Sequence, residues 1–518
     1  IVPTVSGRPG STSAWWSGQR LVPPDPFLGV AVTDGGLLVA PRGAAPVIVG
    51  RGDLAAFVLA HRHLRWVAFD AAGVFWHVLG AVPDHPPAVD AWWRAVQENR
   101  LHDPLLLDAL VRLARDGADP LIPTPDIAAR RAAVAHATGR AAADPGTAAA
   151  VYRAVRADAI AVPHPGDVTP DARSRFGPLT EAIQVKKAVA LAALSRAGIR
   201  LDRAALEAAG KDGASLLRHL NAAGGAVVRP TYRVLTATGR TACSAPNVQG
   251  VPRDGGVRAA FVPSPGYFLL SVDYTLAELR ALAAVCRRRY GRSALADVIQ
   301  AGGDPHAHTA AALLGVPPAV FAAGLSSGGS PGFDYRRYRQ AAKAVNFGVP
   351  GGMGVDALVG LARRRFGVRL SAADAAAWRD RLVREVYPEL ADYLAGGPAG
   401  GARVATLTGR VRAGVGPTQA LNTPFQGLAA DGAALGLFGL VRAGFRVVGF
   451  VHDEFLVEIP DRGGYAALAD IARAVTAAER GMADVLGGVP AGCRWALARR
   501  WGAATAADVV GDRVYPPP

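Results

Sequence analysis

The stretch YFLLSVDYTLAELRALAAV, residues 267–285, changes from a β-prone apolar run to helical spacing at one acidic residue. Its first part, YFLLSVDY, predicts a strand, and the pattern from Leu276 to Val285 predicts a helix. Asp273 therefore lies where the strand ends and faces the start of the helix. An aspartate often does no more than end a strand, so this position needs a partner before it indicates chemistry.

A second acidic position lies far along the chain, in FRVVGFVHDEFLVEI, residues 445–459. Two apolar strand-like runs flank His452, Asp453 and Glu454, which predicts a hairpin with acids at its tip. Carboxylates on adjacent strands can share two divalent ions about 3.5–4 Å apart, one at an attacking hydroxyl and one at a leaving oxygen. We expect two Mg²⁺ ions, for which Mn²⁺ can substitute, because these ions take oxygen ligands and substrate phosphates.

A third pattern is the cationic helix predicted in RRYRQAAKAVNFG, residues 336–348. Arg339, Lys343 and Phe347 recur every four residues and so share one helical face. One turn rises about 5.4 Å, so the two cations could grip successive phosphates of a triphosphate while Phe347 meets its sugar and base. Such a stripe is usually a solvated face. Lys343 argues against that interpretation because the chain has few lysines and many arginines.

Composition favours a globular chain with a polyanionic partner. With 518 residues, 50% of them hydrophobic, the chain can form two or more domains. The formal charge of +15 favours nucleic acid, although a GC-rich genome would produce the same arginine bias. The apolar runs fall short of the roughly 20 residues of a membrane span. Three widely spaced cysteines fit neither disulfides nor zinc, so we expect a cytoplasmic protein with no membrane contact.

As a set, these segments resemble the family A (DNA polymerase I-like) DNA polymerases. DYTLAELR at 273–280 is similar to the first palm motif of that family, RQAAKAVNFG at 339–348 to its fingers helix, and VHDE at 451–454 to its second palm motif. Further similar segments are TATGR at 236–240, APNVQGVP at 245–252, DPHAHTAAALLGV at 304–316, TLTGR at 406–410 and LNTPFQGLAAD at 421–431. The resemblance extends from Leu179 to the C-terminus.

The resemblance also implies roles for individual residues. The implied metal ligands are Asp273, Asp453 and the backbone carbonyl of Tyr274, and the implied catalytic residues are Asp273, Asp453, Glu454 and Lys343. The residues implied at the nucleotide are Arg339, Lys343, Phe347, His306 and Glu278, of which Glu278 and Phe347 would reject a ribose 2′-hydroxyl. The residues implied at primer and template are Arg240, Asn247, Gln249, Asn422, Gln426 and His452. Several have simpler alternatives: Asn247 and Asn422 could form turns, Gln426 could start a helix, His306 could be a surface histidine, and Glu278 could pair with an arginine.

The fold implied by the resemblance is α+β: a right-hand polymerase with an antiparallel palm sheet, helical fingers and a reduced thumb. An RNase H-like, exonuclease-type α/β domain precedes it, and the short apolar runs before residue 70 favour that layer domain independently. The predicted boundaries are 1–165 for the exonuclease-like domain, 170–228 for the thumb, 229–294 for the first part of the palm, 295–395 for the fingers and 396–518 for the second part of the palm.

Three departures from the family pattern carry expectations. Gly351 stands where the family usually has a tyrosine near the template base, which puts fidelity in question. The thumb segment is short, which predicts weak DNA affinity and low processivity unless a partner compensates. The first acid pair of the exonuclease site is not found, so we expect no 3′-5′ exonuclease activity. The acids to suspect if such activity appeared are Asp70, Asp103, Asp108 and Asp158.

The sequence thus predicts a monomeric, DNA-templated DNA polymerase that uses primer-template DNA and deoxynucleoside triphosphates. A single-subunit RNA polymerase is an alternative, but Glu278 and Phe347 would crowd a ribose. A catalytically inactive DNA-binding scaffold is the other alternative, and the presence of both palm acids and Lys343 disfavours it.

Overall fold

The computed structural model describes residues 14–21, 26–42, 44–118, 120, 125–139, 144–166, 168–252, 256–327, 333–396, 402–462, 464–502, 508–510 and 513–515. Their strands are β1 Ala14–Trp15, β2 Phe27–Thr33, β3 Gly36–Ala40, β4 Val47–Gly50, β5 Arg65–Val67, β6 Leu101–His102, β7 Ile199–Leu201, β8 Val227–Val228, β9 Thr231–Arg233, β10 Ala242–Ser244, β11 Phe261–Val262, β12 Tyr267–Tyr274, β13 Ala402–Ala405, β14 Val411–Val415, β15 Arg446–Val451, β16 Glu454–Pro460, β17 Cys493–Ala498, β18 Asp508–Val510 and β19 Arg513–Tyr515.

The α-helices of the same residues are α1 Leu54–Ala60, α2 Ala71–Ala81, α3 Pro86–Gln97, α4 Pro104–Asp116, α5 Pro125–Thr138, α6 Pro145–Ile160, α7 Pro170–Phe176, α8 Glu181–Ala197, α9 Arg203–Ala208, α10 Ala214–Ala222, α11 Ala277–Tyr290, α12 Ala294–Gln300, α13 Pro305–Leu314, α14 Pro318–Ser326, α15 Tyr335–Gly348, α16 Val355–Phe366, α17 Ala372–Arg381, α18 Glu389–Ala395, α19 Pro417–Arg442 and α20 Gly464–Ala483. Short 3₁₀ turns lie at Arg51–Asp53, Pro178–Thr180, Val248–Gly250 and Val257–Ala260, and a π-helical turn lies at Leu382–Val386.

The N-terminal part is a mixed six-stranded sheet in the order β1-β4-β3-β2-β5-β6. Strands β2, β3 and β4 form an antiparallel meander, and β5 and β6 continue the sheet parallel to β2. Helices cover this sheet, and its core holds an aromatic cluster in which the Trp66 and Trp92 rings meet edge to face, 5.0 Å between centroids. The predicted exonuclease-type α/β layer is therefore confirmed as architecture.

Helix α8 joins the N-terminal part to the rest of the molecule. The sequence predicts a helix there that stops at Gly198, and α8 ends immediately before this glycine, whose φ is 66°. Trp76 donates its indole N–H to the carbonyl of Val189 at 2.8 Å, and one hydrophobic core runs from the N-terminal sheet through α8 to the palm. Helix α8 lies inside the predicted thumb segment 170–228 but is part of the hydrophobic core. Within that segment the short helices α9 and α10 remain as thumb candidates. The domain boundaries themselves stay predictions.

The palm is a four-stranded antiparallel sheet in the order β15-β16-β12-β17. The predicted hairpin is confirmed as β15 and β16, which pair up to Val451 opposite Glu454. Strand β12 is buried on both faces: Leu270 packs into the main core and Leu269 into a second core under α9 and α10. A central strand of this kind is a rigid base for a side chain at its end.

Helices α19 and α20 lie behind the palm sheet and pack closely. A Cβ on Gly481 would lie 2.1 Å from the backbone nitrogen of Gly436, so the two backbones touch where neither residue has a side chain. By length and composition α19 could cross a membrane, but 78% of its most apolar window is buried inside the protein. That burial is typical of the core helix of a globular protein.

Helices α13 to α18 form the predicted helical fingers. Helix α15 covers the predicted cationic segment and begins at Asp334, whose carboxylate accepts a hydrogen bond from the Arg337 amide. The Gly- and Ser-rich composition of residues 324–332 predicts a mobile surface loop, but α14 extends to Ser326, so the first residues of that segment are helical. The rest of that prediction, at 328–332, lies outside the described residues.

Candidate active site

The two predicted metal-binding aspartates come together at one end of the palm sheet. Asp273 is directly opposite Glu454 in the pairing of β12 with β16. The next residue, Tyr274, donates its backbone N–H to the carbonyl of Asp453 at 3.3 Å. His452 turns the hairpin with a φ of 61°, and its side chain is exposed. The hairpin tip is thus tied to the end of β12, and acids far apart in sequence become neighbours.

The electrostatics of this pair suit a divalent cation. Burial raises the pKa of Asp453 to about 6, and the Asp273 charge adds to that rise, while Arg240 opposes it. Carboxylates that repel each other in a poorly hydrated place are stabilised by a shared cation. In the part of the chain that the structure describes, no group of three or more His, Cys, Asp or Glu could hold a metal. The pair alone suits Mg²⁺, which completes its shell with water and substrate phosphates.

The predicted catalytic residue Glu454 is held by two hydrogen-bond donors and one ion pair. The Ser271 hydroxyl and the Trp501 indole N–H each donate to its Oε1 at 2.7 Å, and Arg258 lies 3.6 Å from its Oε2. The Arg258 guanidinium also stacks on the Trp501 ring at 3.9 Å. Glu454 is therefore positioned from the strand side rather than left open toward a substrate. Neither Arg258 nor Trp501 was singled out from the sequence, because each lies distant in the chain from Glu454.

Helix α15 presents the predicted cationic face, and α13 packs beside it. The Arg339 Nε donates to Asp304 Oδ2 at 2.5 Å, and the same Asp304 caps α13 by accepting the His306 amide at 2.9 Å. The Phe347 ring lies 5.5 Å from the His306 ring and stacks on Phe366 at 6.2 Å. The predicted nucleotide residues of these two helices therefore belong to one cluster.

His306 is buried and neutral, which corrects the alternative that it is a surface histidine. Burial lowers its pKa to about 3; Asp304 works against that shift, and the charges of Arg339 and Lys343 add to it. The Asn346 amide nitrogen lies 3.1 Å from its Nδ1 and can only donate there, which leaves the imidazole proton on Nε2. His306 can thus offer a hydrogen bond without a charge. The sequence alone indicated no role for Asn346.

Glu278, the predicted sugar-selecting residue, forms an ion pair with Arg240, one of the predicted DNA contacts. Glu278 lies in the first turn of α11, and Arg240 ends the TATGR turn. Both also act on the pKa of Asp453, so the pair lies beside the acids. The alternative that Glu278 pairs with an arginine is therefore confirmed. The pair lies beside the acids, where Glu278 is also predicted to select the sugar.

A sequence model described as DNA polymerase family A matches residues 211–503, more than half of the chain. This chain belongs to DNA polymerase family A. The matched region contains the palm acids, the α15 face and the predicted DNA contacts, so the resemblance drawn from the motifs is confirmed.

Curated relatives and a solved structure agree with this family. DNA polymerase I, thermostable, of Thermus thermophilus is 33% identical over 248 residues, which cover 43% of this chain and 27% of that protein. DNA polymerase I of Caldicellulosiruptor bescii is 32% identical over 271 residues, covering 47% of this chain and 29% of that protein. The chain thus spans about a quarter of the length of these relatives. The fold is similar to that of the polymerase domain of Pol1 from M. smegmatis, solved in complex with DNA primer-template and dNTP. The TM-score is 0.63 at 17% sequence identity, and the match covers 93% of this chain and 97% of that one.

Apart from Arg240 and His452, which lie beside the acids, the predicted DNA contacts of this family A chain fall into two groups. Asn247 accepts hydrogen bonds from the amides of Gln249 and Gly250, both at 3.1 Å, so it does form a turn. Gln249 donates to the carbonyl of Phe450 at 3.0 Å, which ties this turn to β15 near the hairpin. In the second group, Gln426 donates to Asn422 at 3.3 Å within α19. Their roles at DNA stay predictions.

Gly351, where the family usually has tyrosine, lies against Asn422. The Asn422 amide nitrogen donates to the carbonyl of Thr418 at 2.8 Å and to that of Gly351 at 3.3 Å. A Cβ at position 351 would lie 2.8 Å from that same nitrogen and 2.9 Å from the Asn422 amide oxygen. Asn422 therefore fills the space that a side chain at 351 would need.

The segments TATGR and TLTGR fold into the same turn, a correspondence that the sequence interpretation overlooked. In each, the first threonine amide bonds the arginine carbonyl at 3.0 Å and the glycine amide bonds the threonine carbonyl at 2.9 Å. The arginines of the two turns have different surroundings. Arg240 pairs with Glu278 beside the palm acids, whereas Arg410 is buried and pairs with Asp431 at 3.0 Å. A Cβ on Gly239 would lie 2.2 Å from the Arg410 guanidinium, so one turn rests on the arginine of the other.

The four suspected exonuclease acids each have a partner within the N-terminal fold. Asp70 and Asp103 cap α2 and α4, and burial raises the pKa of Asp103 to about 7. Asp108 pairs with Arg112 on α4 at 3.3 Å. The partners of Asp158 are Arg130 at 2.6 Å and Arg115 at 3.1 Å. The absence of exonuclease activity stays a prediction.

Proposed function

We propose that this chain is a DNA-templated DNA polymerase, which adds deoxynucleoside triphosphates to the 3′ end of a primer by two-metal phosphoryl transfer. The observation that carries the proposal is the juxtaposition of Asp273 and Asp453 at the end of the palm sheet, with the raised pKa of Asp453. Family membership supports it, as does the similarity to proteins named DNA polymerase I. The proposed substrates are primer-template DNA and dNTPs.

Asp273, Asp453 and the Tyr274 carbonyl would hold two Mg²⁺ ions. Bound there, the ions would lower the pKa of the primer hydroxyl and stabilise charge on the leaving phosphate oxygens. The Tyr274 side chain is turned away from the site, because its hydroxyl donates to the carbonyl of Ala478 on α20 at 2.5 Å. That contact fixes the backbone whose carbonyl is offered to the metal.

The residues of the fingers would bind and orient the nucleotide. Arg339 and Lys343 supply fixed positive charge for the triphosphate, and the neutral His306 adds a hydrogen-bond donor. Arg339 must share its guanidinium between Asp304 and the phosphate, so Asp304 orients it before the nucleotide arrives. Glu278 and Phe347 would leave no partner for a ribose 2′-hydroxyl.

Primer extension with Mg²⁺ and the four dNTPs tests the proposal. Asp453→Asn keeps the shape of the side chain and removes its charge, and we expect extension to fall by about 10³-fold or more, in line with several kcal/mol of lost charge stabilisation. Asp461→Asn is the matched control, since Asp461 follows the opposite end of β16 and pairs with Arg499 at 2.7 Å. Normal extension by Asp453→Asn would refute the active site, and ribonucleotide use equal to dNTP use would favour an RNA polymerase instead.

A further inference from the structure

Arg494 occupies the other flank of the proposed metal ligand Asp273. In the palm sheet Asp273 lies between two strands: Glu454 is its cross-strand neighbour on β16, and Arg494 is its cross-strand neighbour on β17. Directly opposed residues in an antiparallel pair point to the same face of the sheet. The three side chains therefore form a row of acid, acid and base across the end of the palm.

The Arg494 guanidinium is bonded to one particular oxygen of Asp273. Its Nε donates to Oδ2 at 2.9 Å, and its terminal Nη2 donates to the same Oδ2. The Asp273 side chain is only 12% exposed, whereas that of Arg494 is 68% exposed. The acid is thus held in place by the strand, and the arginine approaches it from the solvent side.

A divalent cation and this guanidinium cannot both use Oδ2 fully. The guanidinium carries a permanent positive charge and would lie within a few ångströms of an ion bound to Asp273 and Asp453. Among the described residues, other charged groups near the acids include Glu454, which forms an ion pair with Arg258 at 3.6 Å, and the Arg240–Glu278 pair, which adds no net charge. Arg280 and Glu479 act on the pKa of the neighbouring Cys493 and are likewise of opposite charge. In the part of the chain that the structure describes, Arg494 is the cation hydrogen-bonded directly to the proposed ligand Asp273.

Departure of Arg494 from Asp273 requires no change in the sheet. The arginine side chain is long and mostly exposed, so a change of rotamer returns its guanidinium to water. Because the arginine of this pair is largely hydrated, its bond to Asp273 can be exchanged for a doubly charged ion.

We propose that Arg494 competes with the divalent cation for Asp273: it satisfies Oδ2 in the metal-free protein and lowers the metal affinity of the site. The inference rests on the proposed function, since it concerns the same site, and it adds a residue that sets how much metal the enzyme needs. It also explains how two adjacent carboxylates remain stable in the palm before metal and DNA arrive.

Mn²⁺ binding to the DNA-free protein tests this inference without relying on activity. The free Mn²⁺ signal in electron paramagnetic resonance gives the dissociation constant directly. We expect Arg494→Gln to bind Mn²⁺ about tenfold more tightly than the wild type, because a charge next to the ion is removed, and Arg494→Lys to fall between them. In an Asp273→Asn background the Arg494→Gln change should have no effect, because the contested oxygen is no longer charged.

Arg499→Gln is the matched control. Arg499 follows the same strand and pairs with Asp461 at 2.7 Å, beyond the opposite end of β16 from the acids. It removes the same net charge, so its Mn²⁺ affinity should equal that of the wild type. If Arg494→Gln binds Mn²⁺ no more tightly than Arg499→Gln does, the proposal is overturned, whether or not the wild type binds the ion. Primer extension by the wild type tests the proposed function separately.

Discussion

The buried pair of Arg410 and Asp431 is a point where a single substitution should strongly affect stability. Their side chains are 1% and 0% exposed, and Arg410 also donates to the carbonyl of Gly427 at 2.8 Å. Replacing Arg410 by leucine keeps much of the volume but leaves a buried carboxylate and a carbonyl without their donor. Breaking a buried ion pair from one side costs about 3–5 kcal/mol.

Two contacts reduce this cost toward its lower limit. The Thr408 hydroxyl donates to Asp431 at 2.6 Å and remains in the variant. Lys187 lies close enough to Asp431 for the carboxylate to raise the pKa of the lysine, so Lys187 can supply part of the positive charge lost with Arg410. We therefore expect Arg410→Leu to lower the free energy of unfolding by about 3 kcal/mol.

Equilibrium unfolding in urea would measure this loss. Arg412→Leu is the matched control, two residues along the chain and inside β14. Arg412 is only partly buried and its hydrogen bond to Thr423 is long, 3.4 Å, so we expect its replacement to cost less than about 1 kcal/mol. The double variant Arg410→Leu/Asp431→Leu should recover most of the stability, because it removes both charges of the buried ion pair together. If Arg410→Leu costs no more than Arg412→Leu, or if the double variant is less stable than Arg410→Leu, the reasoning is refuted.

Four further outcomes can be measured. Burial lowers the pKa of Lys187 from 10.5 to about 7, so the folded state disfavours the charged form of this lysine. As pH rises from about 7 toward 10.5, the free energy of unfolding of the wild type should therefore increase relative to that of Lys187→Met. A difference between the two that does not vary with pH in urea titrations would contradict this. Gly351→Ala should lower the free energy of unfolding by about 1–3 kcal/mol because its Cβ crowds Asn422, and adding Asn422→Ala should restore part of that loss. If thermal unfolding shows that the losses of the two single variants simply add in the double variant, the clash is not the cause. Since the pKa of His306 is lowered to about 3, this residue should cause no inflection near pH 6.5 in the pH profile of kcat/KM for dNTP. An inflection near pH 6.5 that disappears in His306→Gln would show that His306 does titrate there. With only the short helices α9 and α10 as thumb candidates, single binding events should yield short products in a primer-extension assay with a DNA trap, and long products would disprove that expectation.

Prediction from the sequence succeeded where the pattern was local. The strand that ends at Asp273, the hairpin around Asp453 and the helix that presents Arg339 and Lys343 follow from periodicity within each segment. Family resemblance then related these segments to one another. The mixed N-terminal sheet was likewise indicated by short apolar runs, and the structure supplies its strand order.

Prediction stopped where a residue's neighbours come from elsewhere in the chain. Glu454 was expected to be catalytic, but the three residues that hold it, Ser271, Trp501 and Arg258, are far from it in sequence. His306 appeared equally able to lie on the surface, and only the packing of α13 on α15 buries it. Gly351 was recognised as a departure, but the cause, Asn422 in the space of the missing side chain, required coordinates.

The sequence by itself determined which residue types stand at the ends of strands and on one face of a helix, because those periods are properties of a single segment. Only the tertiary structure decided which side chains meet. TATGR and TLTGR form the same turn, yet Arg240 reaches the active site and Arg410 is buried, and Arg494 lies opposite Asp273 through strand register alone. Burial and cross-strand pairing depend on segments hundreds of residues apart, and no local pattern encodes them.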